Sequence, residues 1–224
     1  MINSYLEIVA LLGGGDVSPE TVSEVLTLAP NLVACDGAAR VALDLGHMPD
    51  LVIGDMDSLD AATRGKIDPA RLKAMPDQDS TDFDKALRSI SAPLVLAAGF
   101  MGRRVDHELA ALNVLVRRAA QRCILVGEHD ICFVVPPRLE LHVAKDTRVS
   151  LFPMRDVVVS AKGLRWPLEA LRLAPWARVG TSNAALGDVV IEPEGPGLLV
   201  FLPRNQLETA MRALRAAPVS AGSA

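Results

Sequence analysis

The stretch Pro49–Leu59, PDLVIGDMDSL, runs from apolar residues into Gly54 and then into two carboxylates, Asp55 and Asp57, with Ser58 beside them. Hard cations such as Mg2+ take oxygen ligands, commonly one or two carboxylates completed by substrate phosphates. Two residues apart on extended backbone, Asp55 and Asp57 would share one face. Taken alone, the pair reads equally as a solvated turn that caps the next helix.

A second acidic group follows in PDQDSTDFDKAL, where Asp77, Asp79, Asp82 and Asp84 crowd the start of a helix. Capping and the helix dipole favour one or two acidic residues there. Four together repel one another unless a cation sits among them, which favours metal or ligand binding. A third candidate segment is GFMGRRVDHELA. Gly99 and Gly102 form a turn, Arg103 and Arg104 follow, and Asp106 and His107 open a long amphipathic helix. Arginine presents a planar fork suited to phosphate oxygens, and a helix start with glycine and free amides is an anion site. His107 reads equally as a ligand contact or a hydrogen-bonded helix residue.

The elements that would carry these groups follow from apolar runs and breakers. LEIVALL (residues 6–12) ends at Gly13, Gly14, Gly15 and Asp16, and Ser18-Pro19 caps a helix to about Leu28. The three glycines allow close backbone approach to a phosphate or ribose, or form a plain tight turn; no GxxxxGK[ST] is present. LVAC (32–35) ends in Asp36-Gly37, and residues 38–46 suit a helix. PDLVIGDMDSL supplies a third strand, PLVLAA (93–98) another, and residues 122–126 and 131–135 two more. Strands alternating with helices predict a parallel sheet with right-handed crossovers, and ligands bind at the carboxyl ends of such strands. After Pro136-Pro137 the helical period stops. Short β-type segments take over, from LELHVA to GLLVFL, and predict a small antiparallel sandwich or barrel. Residues 205–216 suit a closing helix. In this second half, GLRWPL carries Trp166, and GTSN carries Thr181, Ser182 and Asn183. By composition alone these read as packing and a turn.

At 224 residues, with 50% hydrophobic residues and a net charge of -4, the chain can build one or two cores. It lacks a dense Lys/Arg run, which disfavours nucleic acid or an anionic membrane as partner. Its three cysteines, Cys35, Cys123 and Cys132, lie in apolar segments and suit buried thiols in a reducing compartment. The N-terminus lacks the pattern of a signal peptide, and no apolar stretch reaches spanning length. The expected location is the cytoplasm.

Taken together, ACDGAA, PDLVIGDMDSL, PDQDSTDFDKAL, GRRVDHELA, GLRWPL and GTSN resemble the thiamine pyrophosphokinase family, in order and across nearly the whole chain. The resemblance implies an N-terminal parallel-sheet, Rossmann-like α/β domain (1–136) that binds ATP and Mg2+. It also implies a C-terminal antiparallel β-sandwich (137–224) and a homodimer with thiamine between subunits. The implied reaction moves a diphosphate from ATP to thiamine. Asp55, Asp57, Asp79 and Asp82 fall on the family's catalytic and metal positions. Gly14, Asp36, Gly37, Arg103, Arg104, Asp106 and His107 fall on the ATP side, and Trp166, Thr181, Ser182 and Asn183 on the thiamine side. The chain departs from many bacterial members at Gln78, where they carry lysine, and at Phe100-Met101, where glycine is common. Competing readings are a diphosphokinase for another heteroaromatic alcohol such as a hydroxymethylpterin, a nucleotide-binding regulatory protein without turnover, and a metal-dependent phosphatase.

Overall fold

The structure, a computed structural model, describes residues 2–77, 79–102 and 104–218. The chain divides into two compact units, Met1–Val114 with Leu125–Glu128, and Leu115–Ile124 with His129–Ala224.

The first unit contains β1 (Asn3–Ser4), β2 (Val9–Leu12), α1 (Pro19–Leu28), β3 (Asn31–Cys35), α2 (Ala38–Asp44) and β4 (Leu51–Gly54). It continues with α3 (Ala61–Arg64), β5 (Leu72–Ala74), α4 (Asp82–Leu87), β6 (Ile90–Ser91) and β7 (Val95–Ala98). α5 (Val105–Arg117) and β8 (Cys123–Val126) straddle the division. Five strands pair in parallel in the order β7-β2-β3-β4-β5. The chain walks outward from β2 to β5 and then returns to the other side of β2. β2 and β7 are wholly buried, as continuous apolar runs in a parallel sheet must be when both faces are covered. The run LEIVALL overstates the first strand: pairing starts at Val9, and Leu6 is 98% exposed. The edge strand β5 escapes the hydrophobic pattern because only three residues pair and all remain partly solvated.

The second unit holds β9 (Asp130–Val134), β10 (Leu139–Leu141), β11 (Arg148–Pro153), β12 (Val157–Leu164), β13 (Leu168–Leu173), β14 (Gly180–Pro193), β15 (Leu198–Pro203) and α6 (Leu207–Ala216). Its strand pairings are antiparallel. The long β14 changes partners along its length. Its first residues pair with β11, and its later ones with β12 and β10. Along β12 inward and outward residues alternate, the signature of strands with one face on a core. Cys35, Cys123 and Cys132 are buried and form no disulfide. No helix among the described residues is long and apolar enough to cross a membrane.

Candidate active site

Because β2, β3, β4 and β7 are parallel, the residues that follow them gather at one sheet edge. Asp36 follows β3, and Asp55 and Asp57 follow β4. Asp36, Asp55 and Asp57 each offer a carboxylate oxygen, and these oxygens lie within 4.8 Å of one another. Extended backbone does not produce this convergence. Met56, between the two β4 aspartates, takes a left-handed conformation at φ 70°, and Asp36 does so at φ 37°. Left-handed backbone costs a non-glycine residue roughly 1–2 kcal/mol, and such strain collects where a site requires it. The bend is closed by the Asp57 N–H, which donates to Asp55 Oδ1 at 3.3 Å. Gly54 gives the two strand ends room. A Cβ there would lie 2.7 Å from the Cβ of Asp36.

Asp36 is 2% exposed. Its Oδ2 accepts the Ser58 N–H at 3.2 Å, while its buried Oδ1 has no partner among the described residues. Burial pushes the carboxyl up to about 6; the Ser58 N–H opposes this, and the neighbouring Asp82 and Asp55 add to it. Asp55 behaves oppositely. Hydrogen bonds from Asp57, and then from Lys85, hold it at about 2. A buried, orphaned carboxylate oxygen facing two more carboxylates is a donor set suited to a hard divalent cation. The residues present therefore fit Mg2+.

The acidic residues of α4 are arranged differently from the four-fold cluster that their spacing suggests. Asp77 is answered by Arg88 at 2.9 Å, by the Ser80 hydroxyl at 2.6 Å and by the Asp79 N–H at 2.9 Å. Asp79 is exposed and stands outside the triad of close carboxylates. The cap of α4 is Thr81, whose hydroxyl accepts the Asp84 N–H at 3.3 Å. Asp82 joins the site through Lys85, whose Nζ lies 3.3 Å from both Asp82 Oδ1 and Asp55 Oδ2. The cations required by so many carboxylates thus include two from the chain itself, Arg88 and Lys85. Burial lowers the Lys85 pKa, but the two carboxylates outweigh burial and raise it, so the ammonium persists. The sequence reading missed Lys85. Its only signal was a lysine three residues after Asp82, on a short helix that also carries Phe83, Ala86 and Leu87.

Beside the triad along the sheet edge lie the glycine loops after β2 and β7. They dock on each other by backbone: the Gly13 N–H donates to Ala98 O at 2.8 Å and the Gly15 N–H to Gly99 O at 2.9 Å. A Cβ on Gly13 would sit 2.6 Å from the Gly99 carbonyl oxygen. Phe100 covers Gly13 and packs on Phe83 with ring centroids 4.4 Å apart, which gives the bulky residue in this turn a packing role. Gly14 alone of the three faces open space. Gly37 opens α2, facing the Ser58 carbonyl. The start of α1 is filled by Glu128. Its carboxylate accepts from the Ser18 N–H, the Ser18 hydroxyl and the Thr21 hydroxyl, each at 2.9 Å. Glu128 also went unnoticed, since nothing in sequence links positions 110 residues apart.

Of the arginines after β7, Arg103 lies outside the described residues. Arg104 is exposed and forks onto Asp106, at 3.2 and 2.7 Å. His107 is exposed, and the Gly102 N–H donates to Glu108 Oε2 at 3.2 Å. In the second unit Trp166 is 57% exposed, so it does not pack in the core of this chain. Asn183 is buried and fixes the tryptophan's backbone. It accepts the Trp166 N–H at 3.1 Å and donates to the Trp166 carbonyl at 2.7 Å. Thr181 and Ser182 are exposed. Ser182 takes the left-handed conformation at φ 62°, with its N–H donating to Ser150 Oγ at 3.0 Å. The Arg165 guanidinium lies 5.8 Å from the Trp166 ring centroid.

Comparison with known proteins places these features in a family. Residues 22–126 match the model of the thiamin pyrophosphokinase catalytic domain, and residues 137–196 that of the thiamin pyrophosphokinase vitamin B1 binding domain. Among curated relatives, thiamine pyrophosphokinase 1 of Oryza sativa subsp. japonica is 28% identical over 173 residues, 69% of this chain and 65% of the relative. Thiamine pyrophosphokinase 2 of Arabidopsis thaliana is 27% identical over 175 residues, 68% of this chain and 64% of the relative. The chain therefore spans less than two thirds of these relatives' length. Among solved structures, the fold resembles thiamine pyrophosphokinase from Bacillus subtilis, with a TM-score of 0.69 and 20% identity over 88% of this chain and 98% of that one. It also resembles thiamin pyrophosphokinase from Candida albicans, with a TM-score of 0.75 and 12% identity over 88% and 89%. With both family models matched in order and the acidic sheet edge inside the catalytic one, the chain belongs to the thiamin pyrophosphokinase family.

Proposed function

We propose that the chain is an ATP-dependent thiamine diphosphokinase, giving thiamine diphosphate and AMP. One observation carries the reading: the segment matched as catalytic holds a triad of converging carboxylates with Asp36 buried at its base, and the segment matched as vitamin B1-binding follows it in the same chain. In the reaction the thiamine hydroxyl oxygen attacks the β-phosphorus of ATP. The bond from that phosphorus to the α–β bridging oxygen breaks, AMP leaves with that oxygen, and the hydroxyl proton passes to water or a carboxylate. Such transfers depend on positioning and on charge stabilisation. Asp36, Asp55 and Asp57 would hold Mg2+, which when bound supplies positive charge to the phosphates. Hydrogen bonds from Asp57, and then from Lys85, keep Asp55 ionised and in place. Gly14, Gly37 and Arg104 stand on the loops assigned to the nucleotide.

Trp166, Thr181, Ser182 and Asn183 are the thiamine determinants in this reading. A cationic ring on an aromatic face gains about 0.5–2 kcal/mol, and the exposure of Trp166 supports a ligand-facing role. We assign residues 1–136 to ATP and Mg2+ and residues 137–224 to a β-sandwich, with the change of partners along β14 as support. The working form is a cytoplasmic homodimer with thiamine between subunits, and exposed Trp166, Trp176 and Leu186 supply apolar surface for it. The test is incubation with ATP, Mg2+ and thiamine. AMP appearing in step with thiamine diphosphate is the expected result; ADP, or no turnover, refutes the reading.

A further inference from the structure

Of the four carboxylates of Asp36, Asp55, Asp57 and Asp82, two, those of Asp55 and Asp82, meet the ammonium of Lys85. Its side chain is 2% exposed, and its nitrogen lies 3.3 Å from one oxygen of Asp55 and from one of Asp82. A lysine so buried is rare unless paired, and here the pairing is two-fold. Divalent cations bridging carboxylates commonly occur in pairs in phosphoryl-transfer sites. In this chain the place between Asp55 and Asp82 is already taken by a fixed positive charge. The other face of the cluster differs. There Asp36 Oδ1 is buried with no partner among the described residues, and the Asp36, Asp55 and Asp57 oxygens converge within 4.8 Å.

We propose that Lys85 is a positioning residue that takes the place of a second protein-bound cation, so that the chain itself holds one divalent ion, on the Asp36–Asp55–Asp57 face. The inference rests on the reading of that face as a cation site. The ammonium ties Asp82 on α4 to Asp55 after β4, and so orients Asp55 toward Asp36 and Asp57. It also lowers the negative charge of the cluster without using a coordination position. A lysine suits this better than an arginine, because its ammonium is a compact point charge whereas a guanidinium is a planar fork.

The experiment counts Mn2+ bound to the nucleotide-free full chain, by the loss of the free-ion electron paramagnetic resonance signal, in the wild type, Lys85→Met and Asp36→Asn. The wild type should take one equivalent and Asp36→Asn none. Lys85→Met, which exposes the Asp55–Asp82 pair to a new cation, should take two. Two equivalents on the wild type overturn the inference and leave the metal reading standing, and this arm does not depend on whether the variant folds. Lys85→Met that takes one equivalent with unchanged affinity also overturns it. No binding to the wild type overturns the metal reading and the inference together.

Discussion

Asp36 offers the sharpest test of the site, because its environment makes opposite demands with and without a cation. Its carboxyl sits at about 6 against an ordinary value of 3.8, chiefly through burial. The folded-state value is raised, so its contribution to stability is fully present below pH 3.8 and is lost as pH rises through 6. A shift of about two units corresponds to about 3 kcal/mol, at roughly 1.4 kcal/mol per unit. Asp36→Asn keeps the shape and an oxygen to accept the Ser58 N–H, but carries no charge to bury. In metal-free buffer the variant should therefore be more stable than the wild type by up to about 3 kcal/mol above pH 6. The gap should close as pH falls toward 4. Mg2+ at a thousand times its Kd should reverse the order, since it stabilises the wild type by about 4.1 kcal/mol. Urea denaturation at several pH values, with and without Mg2+, measures all of this. Equal stability of the two proteins at neutral pH without metal, or equal stabilisation of both by Mg2+, would refute the reasoning.

Other expectations follow from single contacts. Gly54→Ala forces a Cβ to within 2.7 Å of the Asp36 Cβ; overpacking of this kind costs about 1–3 kcal/mol and should weaken Mn2+ binding, as melting and ion titration would show. Trp166→Ala should lower thiamine affinity about tenfold on the cation–π scale while ATP affinity and melting temperature barely move, because the ring is exposed; equal loss of both affinities would remove it from the site. Asn183→Ala should weaken thiamine binding through the tryptophan it holds, and should cost about 1–3 kcal/mol by leaving backbone groups unpaired, which separates it from Trp166→Ala in a thermal melt. Glu128→Ala leaves the Ser18 cap of α1 but removes the carboxylate that accepts from Ser18 and Thr21, and should cost about 1 kcal/mol; an unchanged melting temperature would show that water replaces the clamp.

The sheet and its acidic edge were legible because a buried parallel strand writes itself as an apolar run, and a glycine or aspartate marks its end. Asp36, Asp55 and Asp57 could be named for that reason. Their convergence could not, since it depends on left-handed backbone at Asp36 and Met56, which no periodicity announces. Counting acidic residues near α4 suggested a single cluster. The structure divides them: Asp77 lies on the loop before α4 and pairs with Arg88 at the end of the helix, whereas Asp82 pairs with Lys85, three residues on and on the same helix face. Lys85 was hidden by its type: lysines on helices are usually solvated, and here every residue of the helix after Asp82 is buried. In the second half, Asn183 looked like a turn residue until its amide was seen bonded to both backbone groups of Trp166.

The docked glycine loops constrain how this sheet edge can change. The obstacle to a side chain at Gly13 includes the carbonyl of Gly99, and the obstacle at Gly99 is the carbonyl of Gly13, 2.4 Å from a Cβ built there. Since these obstacles are backbone, no second-site side-chain substitution can relieve them. The two loops behave as one exchangeable cassette, to be transplanted or diversified together. Gly14, with ordinary backbone and nothing within 4 Å of a would-be Cβ, is the position from which a new side chain could reach toward a different nucleotide without disturbing the pair.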